Sequence, residues 1–295
     1  MPKDKGKMRE GPRPKMMIQY PRPMGQDPFL SGEWSLFIDV SALYLYDMKN
    51  VTDVVIDLSH CDIPAQVLDF VGASQLANSL KCVDVVVIAA QVPNIVMLSM
   101  MTCDDLFNIN ASIVKKLVEA VADNCPKALI HIISNSMNSR VSFVAEEHNL
   151  KPINVDVSVV GGHAKITIPS VSLNDEEVEN LTVKIQNAGT EVVEEKGGVG
   201  SATLSMVYAA ARFVESSMRA LDGDGDIYEY SYVESDLIEL TFFASRVKLG
   251  RNGVEALVTY MTSKYEQKAL EALKRELKSS IENGIAFANK QAATA

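Results

Sequence analysis

The chain has 295 residues, a formal charge of −10 and a pI near 5.0. That acidic balance argues against nucleic acid as a partner, because phosphates would be repelled. Hydrophobic residues make up 47% of the chain, which suffices for a sizeable core and excludes wholesale disorder. The most apolar run, residues 85–90, is far too short for a membrane span and reads as a buried strand.

Residues 1–30 differ from the rest. They hold six of the 11 prolines, mixed with Lys3, Lys5, Lys7, Arg9, Arg13 and Lys15. Proline cannot donate to a strand ladder, so the segment reads as a disordered tail and residues 16–23 as a poor central strand. The tail has no apolar centre of the kind a secretory signal needs. It also lacks the serine-rich, acid-poor composition of a transit peptide, so taken alone it points to the cytoplasm.

From residue 42 strands and helices alternate. Residues 42–46 read as a strand ending in Asp47. A short helix is expected at 74–80, then an apolar strand at 84–90. Residues 104–122 form a helix with Ile113, Leu117, Val118 and Val121 along one side. Residues 128–133 read as a buried strand ending in Ser134 and Asn135. Such alternation implies a parallel sheet with ligands at the carboxyl ends of its strands.

Val155, Val157 and Val159 alternate with Asp156 and Ser158, the period of a strand, and lead to Gly161, Gly162 and His163. Glycines let backbone approach whatever the imidazole faces, so His163 is a candidate general base. Beyond it, helices are expected at 175–195 and 201–221. Short strands are expected at 227–232, 240–243, 246–249 and 254–258. A final helix from residue 263 carries Leu270, Leu273, Leu277, Ile281 and Ile285 at helical spacing. The fold class is therefore α/β, with an N-terminal parallel sheet and a C-terminal α+β domain. The expected organisation is a tail (1–30), a Rossmann-like domain (31–139) with its first strand and glycine loop degraded, and a C-terminal domain (140–295).

Cys61, Cys82, Cys103 and Cys125 are widely spaced with no CxxC pair, which fits free thiols in a reducing compartment and no metal site. Residues 222–226, Asp-Gly-Asp-Gly-Asp, hint at a calcium loop. Ile227 and Val233 occupy the glycine and glutamate positions that loop requires, so the run reads as a helix-ending turn.

Four motifs occur in order: Asp104-Asp-Leu-Phe-Asn-Ile-Asn110, Ile132-Ile-Ser-Asn135, Gly161-Gly-His163-Ala and Gly200-Ser-Ala-Thr-Leu-Ser-Met206. With Leu58-Ser-His-Cys61, Val214-Glu-Ser-Ser and Phe242-Phe-Ala-Ser-Arg-Val, they resemble the NAD-dependent malate dehydrogenases of the lactate/malate dehydrogenase family, of plant plastid or organellar type. The resemblance implies NAD as cofactor, malate and oxaloacetate as substrates, a plastid stroma location and a homodimer. It implies His163 as the base that takes the hydroxyl proton, and Asn135 as the amide touching substrate and nicotinamide. Asp47 would accept from the adenosine ribose, and Asn110 and Met206 would lie beside the cofactor.

The chain departs from that pattern in three places. The family takes two carboxylate-binding arginines from the loop before Asp104. Here no arginine occurs between Arg22 and Arg140, and Asn94 and Cys103 stand at those positions. A segment carrying the family's aspartate and third arginine is missing after Ser139, leaving Arg140 as the nearest substitute. The first 60 residues also lack GxGxxG spacing, with Gly25 the remnant of that loop. Two readings follow: an active malate dehydrogenase, or a non-catalytic paralogue acting in assembly, for instance as a heterodimer with an intact subunit.

Overall fold

The computed structural model describes residues 15–19, 40–63, 65–89, 103–133, 158–161, 167–170, 175–197, 204–258 and 264–292. Two units divide the chain. The first comprises residues 1–134 with 217–224, and the second residues 135–216 with 225–295.

The first unit is built on a parallel sheet in the order β3-β2-β1-β4-β5, with β1 at Lys15–Gln19, β2 at Ala42–Asp47, β3 at Gln66–Val71, β4 at Val85–Ile88 and β5 at Leu129–Ile132. Helix α1 (Thr52–Ser59) joins β2 to β3. A 3-10 turn (Ala73–Gln75) and α2 (Leu76–Ser79) precede β4, and α3 (Cys103–Asn124) joins β4 to β5. This is the right architecture for a Rossmann-like domain.

The central strand corrects the expectation of a degraded first strand, and of a disordered tail at residues 15–19. Lys15–Gln19 pairs with β2 on one side and β4 on the other. Met16, Met17 and Ile18 are at most 1% exposed. The prolines that argued against a strand flank this segment without entering it, so every ladder N–H is intact. Its start is pinned twice: the Lys15 N–H donates to Asp84 Oδ2 at 2.8 Å, and the Asp84 N–H donates to the Lys15 carbonyl at 2.9 Å. The rest of residues 1–30 lies outside the described residues.

β4 is buried on both faces, as its Val-Val-Val-Ile run requires. The α3 stripe Ile113, Leu117 and Val121 closes one face of the sheet, in a cluster with Met17, Val86 and Ile88. β5 departs from the expected buried strand. Among the described strands it pairs only with β4, and Ile130 and Ile132 are 38% and 52% exposed. Among the described strands β5 ends the order, and one face of a run that reads as core is only half covered.

The second unit is antiparallel. Its path runs β10-β9-β6-β7, with β8 also on β9, where β6 is Ser158–Gly161, β7 is Thr167–Ser170, β8 is Ile227–Glu234, β9 is Phe242–Gly250 and β10 is Gly253–Val258. The two strands expected at 240–243 and 246–249 are one continuous strand, β9, held along its length by β8. Helices α4 (Asp175–Glu195), α5 (Leu204–Asp222) and α6 (Lys264–Ala292) complete the set. Leu270, Leu273, Leu277 and Ile281 of α6 pack on Phe243 and Leu240, while Ile285, expected on the same stripe, is 42% exposed.

The acidic run after α5 is a helix terminus, as its sequence implies. The Gly223 N–H donates to the Ala220 carbonyl and the Asp224 N–H to the Arg219 carbonyl, with Gly223 at φ +92°. That is a Schellman cap, and the Asp224 carboxylate holds Arg219 Nε at 3.0 Å.

Two tests follow. Met17→Ala removes a fully buried side chain from the sheet centre and should cost about 2–5 kcal/mol in urea unfolding; a change near zero would restore the tail reading. His131 on β5 is only partly covered, but its Nε2 is shielded from solvent. Burial lowers its pKa to about 4. The unfolded imidazole protonates near its ordinary 6.5, so stability is full above that pH and falls as pH drops toward 4. His131→Asn should flatten that part of the stability–pH curve, measured by urea melts at several pH values.

Candidate cofactor site

In a parallel sheet a ligand sits at the carboxyl edge, where the strand order reverses. Here the reversal is at β1, with β2 and β3 to one side and β4 and β5 to the other. Gln19, the last described residue of β1, pairs with Tyr46, and β2 continues one residue further at this edge. That residue is Asp47, paired on its other side with Val71.

Two backbone contacts set Asp47. The Gly72 N–H donates to its carbonyl at 2.9 Å, and the Lys49 N–H donates to its Oδ2 at 3.4 Å. Gly72 sits at φ +81°, a conformation side chains resist, and that lets the chain turn out of β3 while aiming its N–H back at β2. The Lys49 contact is long, so the half-buried carboxylate keeps accepting capacity toward a ligand. Tyr46, 3% exposed, turns its hydroxyl onto Met48 Sδ at 3.2 Å. Burial, and then the Asp47 charge, push that phenol's pKa up, so it stays a donor.

A carboxylate at the end of the second strand fits the vicinal hydroxyls of a dinucleotide's adenosine ribose, since it only accepts and they donate. Asn110 continues the Ile113–Leu117–Val121 stripe one turn toward the start of α3 and is half-buried. A crossover helix runs back along the sheet, so its early turns lie toward the carboxyl edge. Met206 is half-buried on α5 and belongs to the second unit. Asn135, Arg140 and His163 lie outside the described residues, as do residues 20–39 and 90–102. Gly161, the end of β6, pairs with Thr167 of β7 and Ala244 of β9.

Gly72 and Met48 were missed in the sequence. Their signal was there: Val67, Phe70 and Val71 lead into a glycine, as a strand does into a tight turn. What hid it was Asp69, which interrupts the apolar run and accepts from Thr52 Oγ1 at 2.6 Å. Among the described residues no group of three or more His, Cys, Asp or Glu could hold a metal ion. Cys61, Cys82 and Cys125 are free thiols. No described helix is long and apolar enough to cross a membrane.

A parallel sheet in this order, ending its second strand in an acid, defines the class as a Rossmann-type dinucleotide-binding protein. Residues 34–156 match the NAD binding domain of lactate/malate dehydrogenase, and residues 138–288 match the alpha/beta C-terminal domain. The chain is 58% identical to the chloroplastic malate dehydrogenase of Arabidopsis thaliana, over 87% of this chain and 73% of that one. It is 44% identical to peroxisomal malate dehydrogenase 1 of the same plant, over 85% and 81%. Both alignments, at 297 and 290 positions, are longer than the share of this chain they take in, so the relatives carry residues with no counterpart here. The solved lactate dehydrogenase of Eimeria maxima with NADH and oxamate shares the fold at TM-score 0.77 and 18% identity, covering 96% of this chain and 97% of that one. The malate dehydrogenase of Cryptosporidium parvum does so at 0.74 and 21%, covering 93% and 99%. The chain belongs to the lactate/malate dehydrogenase family, whose cofactor domain binds NAD.

Asp47→Asn removes the charged acceptor without changing shape. NADH affinity should fall about tenfold or more, the scale of one charge-assisted hydrogen bond, in a fluorescence titration with unchanged circular dichroism.

Proposed function

We propose that this chain is an NAD-dependent malate dehydrogenase interconverting malate and oxaloacetate. The observation that carries the reading is Asp47 at the switch edge of a Rossmann-order sheet, in a chain whose His163 follows Gly161 and Gly162. The nicotinamide, when bound, supplies the two-electron acceptor for the hydride leaving C2 of malate. His163 takes the hydroxyl proton on a ring nitrogen and returns it in the reverse direction; an imidazole titrating near neutrality suits both. Asn135 donates its amide hydrogen to the substrate oxygen. Arg140 pairs with a substrate carboxylate, where a guanidinium gives two parallel hydrogen bonds. Asn110 and Met206 line the cofactor. In this reading residues 31–139 form the cofactor domain, which lends Asn135 to the substrate, and residues 140–295 the substrate domain, which lends Met206 to the cofactor. The location is the plastid, as for the chloroplastic relative, and the chain pairs with itself or with an intact paralogue.

A second reading, a non-catalytic paralogue acting in assembly, is favoured by two observations. The relatives carry residues this chain lacks, and Asn94 and Cys103 stand where the family places carboxylate-binding arginines. An amide and a thiol cannot hold a dianion as two guanidiniums do.

NADH oxidation by the purified chain with oxaloacetate decides between them. The first reading expects turnover that His163→Ala lowers by about 10²–10⁴-fold, the scale of general-base catalysis. NADH binding without turnover would leave the second.

A further inference from the structure

Met48 directly follows the acid at the cofactor edge and is 60% exposed. The other described methionines are not: Met16 and Met17 are fully buried, Met218 is 4% exposed and Met206 half-buried. Its sulfur has a buried partner, the Tyr46 hydroxyl at 3.2 Å. The side chain is therefore largely open to solvent, while its sulfur is held to the end of β2.

We propose that Met48 is a site of reversible oxidation to the sulfoxide, and that the oxidised residue weakens binding of a dinucleotide's adenosine end at Asp47. The second half rests on the cofactor reading above. The oxidant is a peroxide. A sulfur lone pair attacks one peroxide oxygen, the O–O bond breaks and an S–O bond forms. With hydrogen peroxide, the proton on the transferred oxygen passes to the departing hydroxide and water leaves. Sulfur is oxidised by two electrons and peroxide oxygen is reduced by two. Exposure governs which methionines react, and a sulfoxide can be reduced again enzymatically.

Coupling to the site follows from the tether. The Tyr46 hydroxyl bonds sulfur directly, whereas the sulfoxide presents an oxygen that accepts more strongly than a thioether. Keeping that bond means placing an oxygen between hydroxyl and sulfur, and this shifts the Met48 backbone. Asp47 is the preceding residue, and among the described residues its Oδ2 is held by the 3.4 Å contact from Lys49 within the same turn. Loss of one well-placed hydrogen bond corresponds to about tenfold in affinity.

The test combines peptide mass mapping with NADH titration of the full chain before and after mild hydrogen peroxide. Met48 sulfoxide should form ahead of Met16, Met17 and Met218, with the Kd for NADH rising about tenfold and returning after methionine sulfoxide reductase. Met48→Leu should abolish the peroxide-induced shift. Tyr46→Phe should leave Met48 oxidisable while shrinking the shift. Met48 reacting no faster than the buried methionines, or reacting with no change in Kd, overturns the proposal. If the untreated chain does not bind NADH, the cofactor reading fails and the coupling with it, while the mapping still shows separately whether Met48 is the reactive site.

Discussion

The position on which the first unit depends is the centre of its parallel sheet. A central strand must pair on both edges and bury both faces, and Lys15–Gln19 does so with only five residues. Without it, β2 and β4 would face each other across a gap too wide to bridge by hydrogen bonds. The strand also determines where the order of strands reverses, and hence which edge can hold a ligand. Asp84 anchors its first residue through both side chain and backbone. The register that follows sets Asp47 one residue past the last described pair, Gln19 with Tyr46.

From that register the rest of the cofactor edge is assembled by small contacts. Gly72 turns the chain at the end of β3 and returns an N–H to Asp47. Tyr46, buried one residue earlier, reaches Met48 one residue later, so the end of β2 grips the segment that leaves it. The acid lies between them on the other face. Its chemistry is that of a ribose acceptor, and its position depends on strand pairing far away in sequence.

The second unit obeys a different constraint. β9 is its shared strand, paired with β8, β10 and β6, and its buried Phe243 meets the leucine stripe of α6. The α6 stripe was legible because four turns of apolar residues at helical spacing have few alternatives. β9 was harder to read: Ala244, Ser245 and Arg246 interrupt its hydrophobicity, though Ala244 and Ser245 are at most 1% exposed. Burial there is set by neighbouring strands that the local sequence does not specify.

The sequence by itself determined the alternation of strands and helices, the ordered motifs that define the family, and the identities of Asp47, Asn110, His163 and Met206 as the residues to examine. The alternation rests on local periodicity and His163 on the glycines before it, whereas Asp47, Asn110 and Met206 rest on what the family resemblance implies. Tertiary structure decided which apolar runs are central and which lie at an edge. Met16–Ile18, between prolines, became a fully buried stretch of the central strand, while the equally apolar Ile130 and Ile132 stayed half in water. It also decided that Asp47 ends β2 opposite Val71 of β3 and that Met48 lies open beside it. The reason is physical: a strand's own residues fix its alternation, whereas its burial and register are fixed by the strands that pair with it.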